Sequence, residues 1–445
     1  MPTVRVPNIA LSPLVAETGR TYSQLARAVN RLGTSTGLAL RYDASAVAHW
    51  LTGTQPRLRV RRLVLEVLSG RLNRPITAVE AGFPANSGDL EPVSGDTVES
   101  LVDLGRADMD PTRRALLEGG LYSVALAIPA WHEVIGRTHR VRTGGGRVGM
   151  AEAATVQAMA DELSSLDDKF GGGAVRPMAA AYLVNTVAVF LQADASHQAR
   201  KALLSAAADL AYLTGWMAVD ETQNGIAQRY YLQALKLAGA AEDHLTYCTA
   251  LRGMSVQAVQ LGHGQKALDL ANAAAEAAPE AGPRMRAFIA GQQAHATAQT
   301  GDRHAAFRYL TEAERELDRA TSGASAFGSY DGAALHFHTS HVRYELGDLA
   351  GSIASMKQAN HIREPGYRRS RAIATATIAE REFKVGHLEA ACTTWGKFLD
   401  DYQHVTSGRC DRHLESMRRN LRPHNGNRMV KALVERTEDV RRNSK

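Results

Sequence analysis

The amino-acid sequence predicts an all-α protein, in which a small N-terminal helical domain is followed by a superhelical solenoid of paired helices. The composition is rich in Ala and Leu and only 6% aromatic, which favours helix over sheet. Apolar residues recur at spacings of three and four, and the two-residue alternation of a half-buried strand is lacking. Short glycine-containing units also recur along the second half of the chain, which is typical of stacked helical repeats.

The domain boundary is predicted by length and by a change in composition. A chain of 445 residues exceeds what one compact core usually organises, so at least two domains are expected. The segment 85–100, "ANSGDLEPVSGDTVES", is rich in Gly, Ser, Pro and acidic residues and has no apolar period, which is typical of a linker. We therefore predict an N-terminal domain over 1–84 and a helical-repeat domain over 101–445.

The charge is distributed unevenly along the chain. Residues 1–85 contain eleven arginines, no lysine and four acidic residues, a net charge of +7. Residues 86–408 carry −7 and residues 409–445 carry +6. Basic ends suit a polyanionic partner, although an arginine-rich face can also simply be solvated. The basic C-terminal segment has two interpretations: a polar helix that caps the repeats, or a further contact to DNA or to a second subunit.

Within the N-terminal domain, the apolar pattern predicts successive helices. "RTYSQLARAVNRLG" places an apolar stripe on one face, and Gly33 is a suitable end for this helix. Asp43 is a suitable N-cap for the next helix, "ASAVAHWL", which turns Val47, Trp50 and Leu51 inward. After the break "TGTQP", a further helix buries a regular apolar stripe and leaves several arginines outside it.

The helix "ASAVAHWL" has the form of a DNA-recognition helix. Its outward residues Ala44, Ser45 and His49 are short or polar, so they can enter a major groove and contact base edges. The arginines that follow supply attraction to phosphates without reading sequence. The sequence therefore predicts a domain that docks on duplex DNA by charge and reads it through one helix.

These residues resemble a known family. "SQLARAV" followed by "ASAVAHWLTGTQPR" resembles the second and third helices of the XRE-type, lambda-repressor-like helix-turn-helix, with Trp50, Gly53 and Pro56 at its aromatic, glycine and proline positions. The loop 33–42 is longer than in that pattern. "LDDKFGGGAVRP" and "LTGWMAVDETQNGIAQRYYLQALKLAGAAED" extend the resemblance to Streptomyces-type actinobacterial regulators with a C-terminal TPR-like region.

The resemblance implies a function and a set of contacts. It implies a transcriptional regulator, a repressor of sporulation or antibiotic production, that binds double-stranded DNA as a homodimer. By position it assigns base contacts to Ala44, Ser45 and His49. The other DNA-binding positions that we assign are Gln24, Arg41, Thr52, Thr54, Arg57 and Arg59.

The second half of the chain repeats a short unit in which a small residue follows a glycine by five positions. These pairs are Gly262 with Ala267, Gly301 with Ala306, Gly347 with Ser352, and Gly386 with Ala391. The glycine would end one helix, and the small residue would let the next helix pack closely. The pattern resembles the tetratricopeptide repeat (TPR), although its glycines are 39, 46 and 39 residues apart, longer than the standard period of ~34.

Stacked units of this kind form a curved solenoid with a concave groove, which binds partners far more often than it catalyses. A groove beside a DNA-binding domain suggests control by a peptide or small-molecule effector, as in the peptide-responsive regulators of Gram-positive bacteria. Polar residues within otherwise apolar helices mark the predicted groove: Asn185, Gln257, Gln292, His295 and His338. The alternative is a TPR-type protein-interaction scaffold without sequence-specific DNA binding.

The remaining motifs do not indicate a catalytic, metal or phosphate-binding site. The three cysteines are far apart, which favours a reducing cytoplasm over a disulfide framework. "HFHTSH" lacks the further ligands of a zinc site. "GGGRVGM" and "FGGGAVRP" lack the ending of a phosphate loop, so flexible connectors are predicted there. We expect no enzymatic activity, cofactor or metal, and no membrane association, because the longest apolar stretch is short for a span.

Overall fold

The structure is a computed structural model that describes residues 7–35, 38–72, 76, 78–84, 96–110, 122–124, 126, 128–134, 147–277, 279, 281–320 and 330–443. Within these ranges the protein is all-α, apart from a two-residue parallel pairing of β1 (Arg147–Val148) with β2 (Asp194–Ala195). The predicted fold class is therefore confirmed. Most of the predicted linker, at 85–95, lies outside the described residues.

The N-terminal domain packs its helices around one apolar core. They are α1 (Leu11–Glu17), α2 (Tyr22–Ser35), α3 (Ala44–Leu51) and α4 (Leu58–Leu72). The predicted inward residues Val47 and Trp50 are buried in that core. The prediction that Gly33 ends α2 is wrong, because the helix continues to Ser35. A Cβ at Gly33 would lie 2.5 Å from the Leu40 side chain, so this glycine lets the following loop pack closely.

The repeat region begins with helices that are not part of the glycine-marked units. They are α5 (Thr97–Met109), α6 (Trp131–Val134), α7 (Met150–Phe170) and α8 (Gly172–Tyr182), the last continuing through a π-helical turn (Leu183–Val187) into α9 (Ala188–Gln192). By length and composition, Gly172–Gln192 and His197–Asp220 could each cross a membrane, but the protein interior buries 50% and 78% of their most apolar windows. The value of 78% indicates that His197–Asp220 is a core helix.

Five helix pairs follow in sequence. They are α10 (His197–Asp220) with α11 (Asn224–Ala241), α12 (His244–Gln260) with α13 (Gly264–Ala277), α14 (Pro283–Thr300) with α15 (Arg303–Asp318), α16 (Gly332–Glu345) with α17 (Leu349–Ile362), and α18 (Arg368–Lys384) with α19 (Leu388–Tyr402). We call α10, α12, α14, α16 and α18 the first-helix layer, because these helices lie side by side. Helices α20 (Gly408–Leu421) and α21 (Arg428–Asn443) add apolar residues to the core of the last pair.

The turn geometry confirms the repeat unit that the sequence predicts. Gly262, Gly301, Gly347 and Gly386 have φ values of 81°, 90°, 87° and 89°, in the region that favours glycine. The small residues that follow them are fully buried at the crossing of each pair. The α10–α11 turn instead places Thr222 at φ 64°, which is unusual for a β-branched residue.

The two ends of the repeat region meet. The Thr406 amide donates to the Phe170 carbonyl at 2.7 Å, and the Thr406 carbonyl accepts from the Gly173 amide at 3.0 Å. The prediction that "FGGGAVRP" is a flexible connector is therefore wrong. Gly171 has φ 89° and its Cα faces the Thr406 backbone closely, with no room for a Cβ. These glycines allow a close backbone approach that closes the superhelix.

Candidate functional site

The predicted recognition helix α3 lies at the surface of the N-terminal domain. Asp43 caps it, because its carboxylate accepts a hydrogen bond from the Ala46 amide at 2.9 Å, which satisfies a backbone donor of the first turn. Val47 and Trp50 fix the inner face. The predicted base-contacting residues Ala44, Ser45 and His49 are all exposed.

The long loop before α3 is held in place by one side chain that sequence reasoning missed. The Asn30 side chain donates from Nδ2 to the Tyr42 backbone carbonyl at 2.8 Å, and its Oδ1 accepts from the Tyr42 backbone amide at 2.9 Å. The Tyr42 ring packs edge-on against Trp50 at 5.3 Å. Since Asn30 belongs to α2, this pair of hydrogen bonds sets α3 against α2 in spite of the long loop between them.

The other predicted DNA-binding residues differ in their exposure and in their contacts. Arg41, Thr52, Arg57 and Arg59 are exposed. Gln24 is exposed too, but its side chain accepts from the Thr21 amide at 2.9 Å and so caps α2. Thr54 is half-buried, and its enclosed hydroxyl has no hydrogen-bond partner within the described ranges.

Three of the five predicted groove residues come together inside the first-helix layer. Gln292 and His295 lie one turn apart on α14, and the His295 ring is 6.4 Å from that of His338 on α16. Gln257 instead donates to the Asn224 carbonyl at 2.9 Å, so its amide joins α12 to α11. Asn185 is exposed on the π-helical turn. Neither of these two lies with the other three.

The histidines of this cluster are packed against aromatic rings. His295 stacks on His341 at 4.7 Å, and His338 accepts or donates a hydrogen bond at 3.0 Å from its Nδ1 to the Tyr330 hydroxyl. Burial and the nearby Arg381 lower the pKa of His295 to about 3, and burial also holds the pKa values of His338 and His341 well below their usual range. These imidazoles are therefore uncharged at neutral pH.

Two buried arginines flank the histidines, and sequence reasoning missed both. Arg252 on α12 donates to the Tyr212 hydroxyl at 2.5 Å, and its guanidinium lies 3.6 Å from the Phe288 ring centroid. Arg381 on α18 donates to the Ser340 hydroxyl at 2.5 Å and lies 4.5 Å from the Tyr344 ring centroid. We call Arg252, His295, His338, His341 and Arg381 the Arg–His cluster.

The histidines of the cluster are not arranged as metal ligands. Within the described part of the chain, no three His, Cys, Asp or Glu residues are arranged to hold a metal ion. The arginines beside the histidines would also repel a cation. The cluster can donate hydrogen bonds from guanidinium groups and donate or accept them through neutral imidazoles, which is the chemistry of ligand recognition.

A second polar group closes the superhelix. Arg369 on α18 donates to Asp167 at 2.8 Å and to Asp168 at 2.9 Å, and Asp220 on α10 accepts from Arg409 at 3.0 Å. Burial raises the pKa of Asp167 to about 7; it would also raise that of Asp220, but Arg369 and Arg409 lower it. We call these five residues the clasp.

The N-terminal domain contacts the repeat region through a buried carboxyl group. Glu66 on α4 accepts from the Val124 amide at 2.8 Å. The adjacent Ser123 backbone exchanges hydrogen bonds of 2.7 and 2.9 Å with Gln228 on α11. Burial raises the pKa of Glu66 to about 7. One short segment thus joins the domain that carries α3 to the first helix pair.

Comparison with known proteins gives a match to a family model and similarities to solved structures. Residues 11–84 match the family model described as the SP15 N-terminal domain. A crystal structure of a Rap protein complexed with competence and sporulation factor is similar over 65% of this chain and 88% of that one, at 13% identity and a TM-score of 0.40. That second similarity concerns helical architecture alone. No curated protein matches the chain.

Proposed function

We propose that the repeat region is a binding module for a peptide or another small ligand, and that the protein acts through binding rather than catalysis. The observation that supports this best is the Arg–His cluster, a buried strip of arginines and histidines across four neighbouring helices of the first-helix layer. Buried polar groups are costly unless they are satisfied. A strip of them at the centre of a helical-repeat solenoid is suited to recognition, the usual task of that architecture.

This module can be tested before its ligand is identified. Low-molecular-weight fractions of the producing cells are added to the purified full chain, and its thermal midpoint is recorded. A binding fraction should raise the midpoint, because ligand that binds only the folded state stabilises it. The His295→Leu variant should lose this response while Gln265→Leu, an exposed change on α13, keeps it. A response retained by His295→Leu would place the ligand elsewhere.

We propose further that the N-terminal domain binds duplex DNA, with α3 in the major groove. The exposed Ala44, Ser45 and His49 on a capped, rigidly packed helix support this, as does the net charge of +7 over residues 1–85. The DNA-binding unit would be a homodimer whose half-sites lie about 34 Å apart. The protein would then be a ligand-responsive cytoplasmic regulator, and its resemblance to Streptomyces-type regulators suggests repression of sporulation or antibiotic production.

Random-site selection with the full chain tests the DNA proposal. The wild-type protein should enrich one motif. His49→Ala should change the preferred bases, at about 1–3 kcal/mol for a good contact, whereas Arg57→Gln should weaken all sequences and reduce the salt slope by about one. Arg27→Gln, an exposed arginine on α2 outside the predicted set, is the matched control for charge. If no motif is enriched, the protein is an interaction scaffold without sequence-specific DNA binding.

A further inference from the structure

Among the residues that the structure describes, four arginines are almost fully buried, and they fall into two classes. Arg176 is paired with Asp108 and Glu221, and Arg369 is paired with three aspartates. Arg252 and Arg381, each only 4% exposed, form no ion pair with a carboxylate in the described part of the chain. Their partners are neutral hydroxyl, imidazole and aromatic groups.

Glu345 and Glu380 act on the Arg381 charge from a distance, but neither forms an ion pair with it in the described part of the chain. Glu380 accepts from His413 at 3.1 Å, and Glu345 accepts from Gln299 at 3.4 Å. Arg252 has a further unused donor, because its buried Nε has no hydrogen-bond partner among the residues that the structure describes. A buried guanidinium group without an ion-pair partner is unfavourable, and such violations of local stability are expected at functional sites.

We propose that the Arg–His cluster binds an acidic ligand that carries two carboxylate groups, one for Arg252 and one for Arg381. This deepens the binding role proposed for the repeat region and rests on it. The two guanidinium groups supply the charge, and the three histidines between them supply hydrogen bonds. No other titratable group is needed to make the interaction attractive.

The chemistry of the guanidinium group favours carboxylates as partners. The Phe288 and Tyr344 rings lie against Arg252 and Arg381 at 3.6 and 4.5 Å from ring centroid to guanidinium carbon. Arginine can stack on an aromatic ring with its face while its in-plane N–H groups still donate hydrogen bonds. In the unliganded protein Arg252 donates to Tyr212, and Arg381 donates to Ser340 and contacts His341.

A chain of side-chain contacts connects the two arginines across the cluster. The Phe288 ring, which lies against Arg252, is 6.3 Å from the His338 ring, and Nδ1 of His341 is 3.4 Å from Nη2 of Arg381. Gly291 allows a close approach of α14 and α16, because a Cβ there would collide with the Tyr330 hydroxyl and His338. The three histidines thus lie between the two guanidinium groups that the proposed ligand would contact.

The test measures the thermal midpoint of the full chain with defined probes and without DNA. The probes are citrate, a triglutamate peptide and the uncharged triglutamine peptide. We expect triglutamate, citrate or both to raise the midpoint with concentration, and triglutamine to have no effect. A response to citrate and triglutamate alike indicates a free di-acid site, and a response to triglutamate alone indicates an acidic peptide. No response to either acid would overturn the proposal.

Two variants separate recognition from structural support. Arg252→Met and Arg381→Met should each weaken the apparent affinity for the acidic probe by at least about tenfold, the loss of one charged hydrogen-bonded contact. Their unliganded midpoints should stay equal to the wild type or rise, because an unpaired buried charge is replaced by an apolar chain of similar size. The control is Arg371→Met, which removes an arginine that is paired with Asp401. This variant should respond to the acidic probes as the wild type does.

The opposite pattern of midpoints and acid responses would contradict the proposal. If both variants lower the midpoint and keep the acid response, the arginines are structural and the proposal is wrong. Because DNA is absent from this experiment, its result is independent of random-site selection. A protein that enriches a DNA motif but ignores both acids retains the DNA-binding function and loses only this ligand site.

Discussion

At the scale of single residues, Glu66 shows how a buried carboxyl group can make a domain contact depend on pH. It lies at the junction between α4 and the segment that contacts α11, where it accepts from the Val124 amide. Burial raises its pKa from 4.5 to about 7. A raised carboxyl pKa favours the protonated folded state, so its contribution to stability is greatest below about 4.5 and is lost as pH rises past about 7.

The prediction is that Glu66→Gln removes this dependence. The amide keeps the shape of the protonated acid but cannot ionise, so the wild-type protein should lose thermal stability relative to the variant as pH rises from about 4.5 to about 7. Differential scanning calorimetry across this range measures the gap between the two midpoints. A gap that does not change with pH would mean that Glu66 does not titrate at the junction.

At the scale of elements, two kinds of glycine turn connect the helices. Gly262 has φ 81° and open space where a Cβ would lie. Gly171 has φ 89° and ψ 160°, and a Cβ there would collide with the Thr406 backbone. The first conformation disfavours other residues only moderately, whereas the second is essentially restricted to glycine. The first kind ends a repeat helix, and the second kind closes the superhelix.

These two glycines give a matched pair of variants. Gly262→Ala should lower the free energy of unfolding by about 1–2 kcal/mol, the usual cost of a left-handed backbone at a residue with a Cβ. Gly171→Ala should lower it by more, because backbone atoms must also move. Thermal or urea denaturation compares the two. Equal losses would indicate that the contact between Gly171 and Thr406 is readily relaxed.

Sequence patterns predicted the local elements well and the long-range contacts poorly. The N-cap Asp43, the inward Trp50 and the glycine turns follow from interactions within a few residues, so periodicity and capping rules find them. The clasp joins Asp167 to a residue 202 positions later, and no local pattern carries that information. The sequence could have indicated Arg252, because it is a charged residue within an apolar helix, and the groove residues were predicted on the same basis. A charged side chain is, however, expected at the surface unless a partner is known.

At the scale of the whole molecule, the clasp joins helices from the two ends of the repeat region. Arg369 and Asp167 are both about 2% exposed, and Asp220 is fully buried. Removing one partner from such a group leaves an uncompensated buried charge, which typically costs 3–5 kcal/mol. The clasp therefore adds to the backbone contacts of Thr406, and losing one of its arginines should weaken the contact between the two ends.

We predict that Arg369→Met lowers the free energy of unfolding by about 3–5 kcal/mol and expands the molecule. Small-angle X-ray scattering should show a larger radius of gyration, because α18 is released from α7. Arg371→Met is the control: its arginine is 31% exposed and paired with Asp401, so a loss of about 0–1 kcal/mol and unchanged scattering are expected. An unchanged radius for Arg369→Met would show that the backbone contacts of Thr406 close the superhelix alone.

The joining of Phe170 to Thr406 also has a consequence for biosynthesis. Ribosomes add about 5–20 residues per second, so the segment that ends at Phe170 leaves the exit tunnel roughly 10–50 seconds before Thr406 is made. During this interval the clasp arginines Arg369 and Arg409 have not been made. The nascent chain must therefore remain soluble while Asp167 and Asp220 lack these partners. A premature stop codon between Asp220 and Arg369 would leave these carboxylates permanently without the arginines that pair with them in the folded protein.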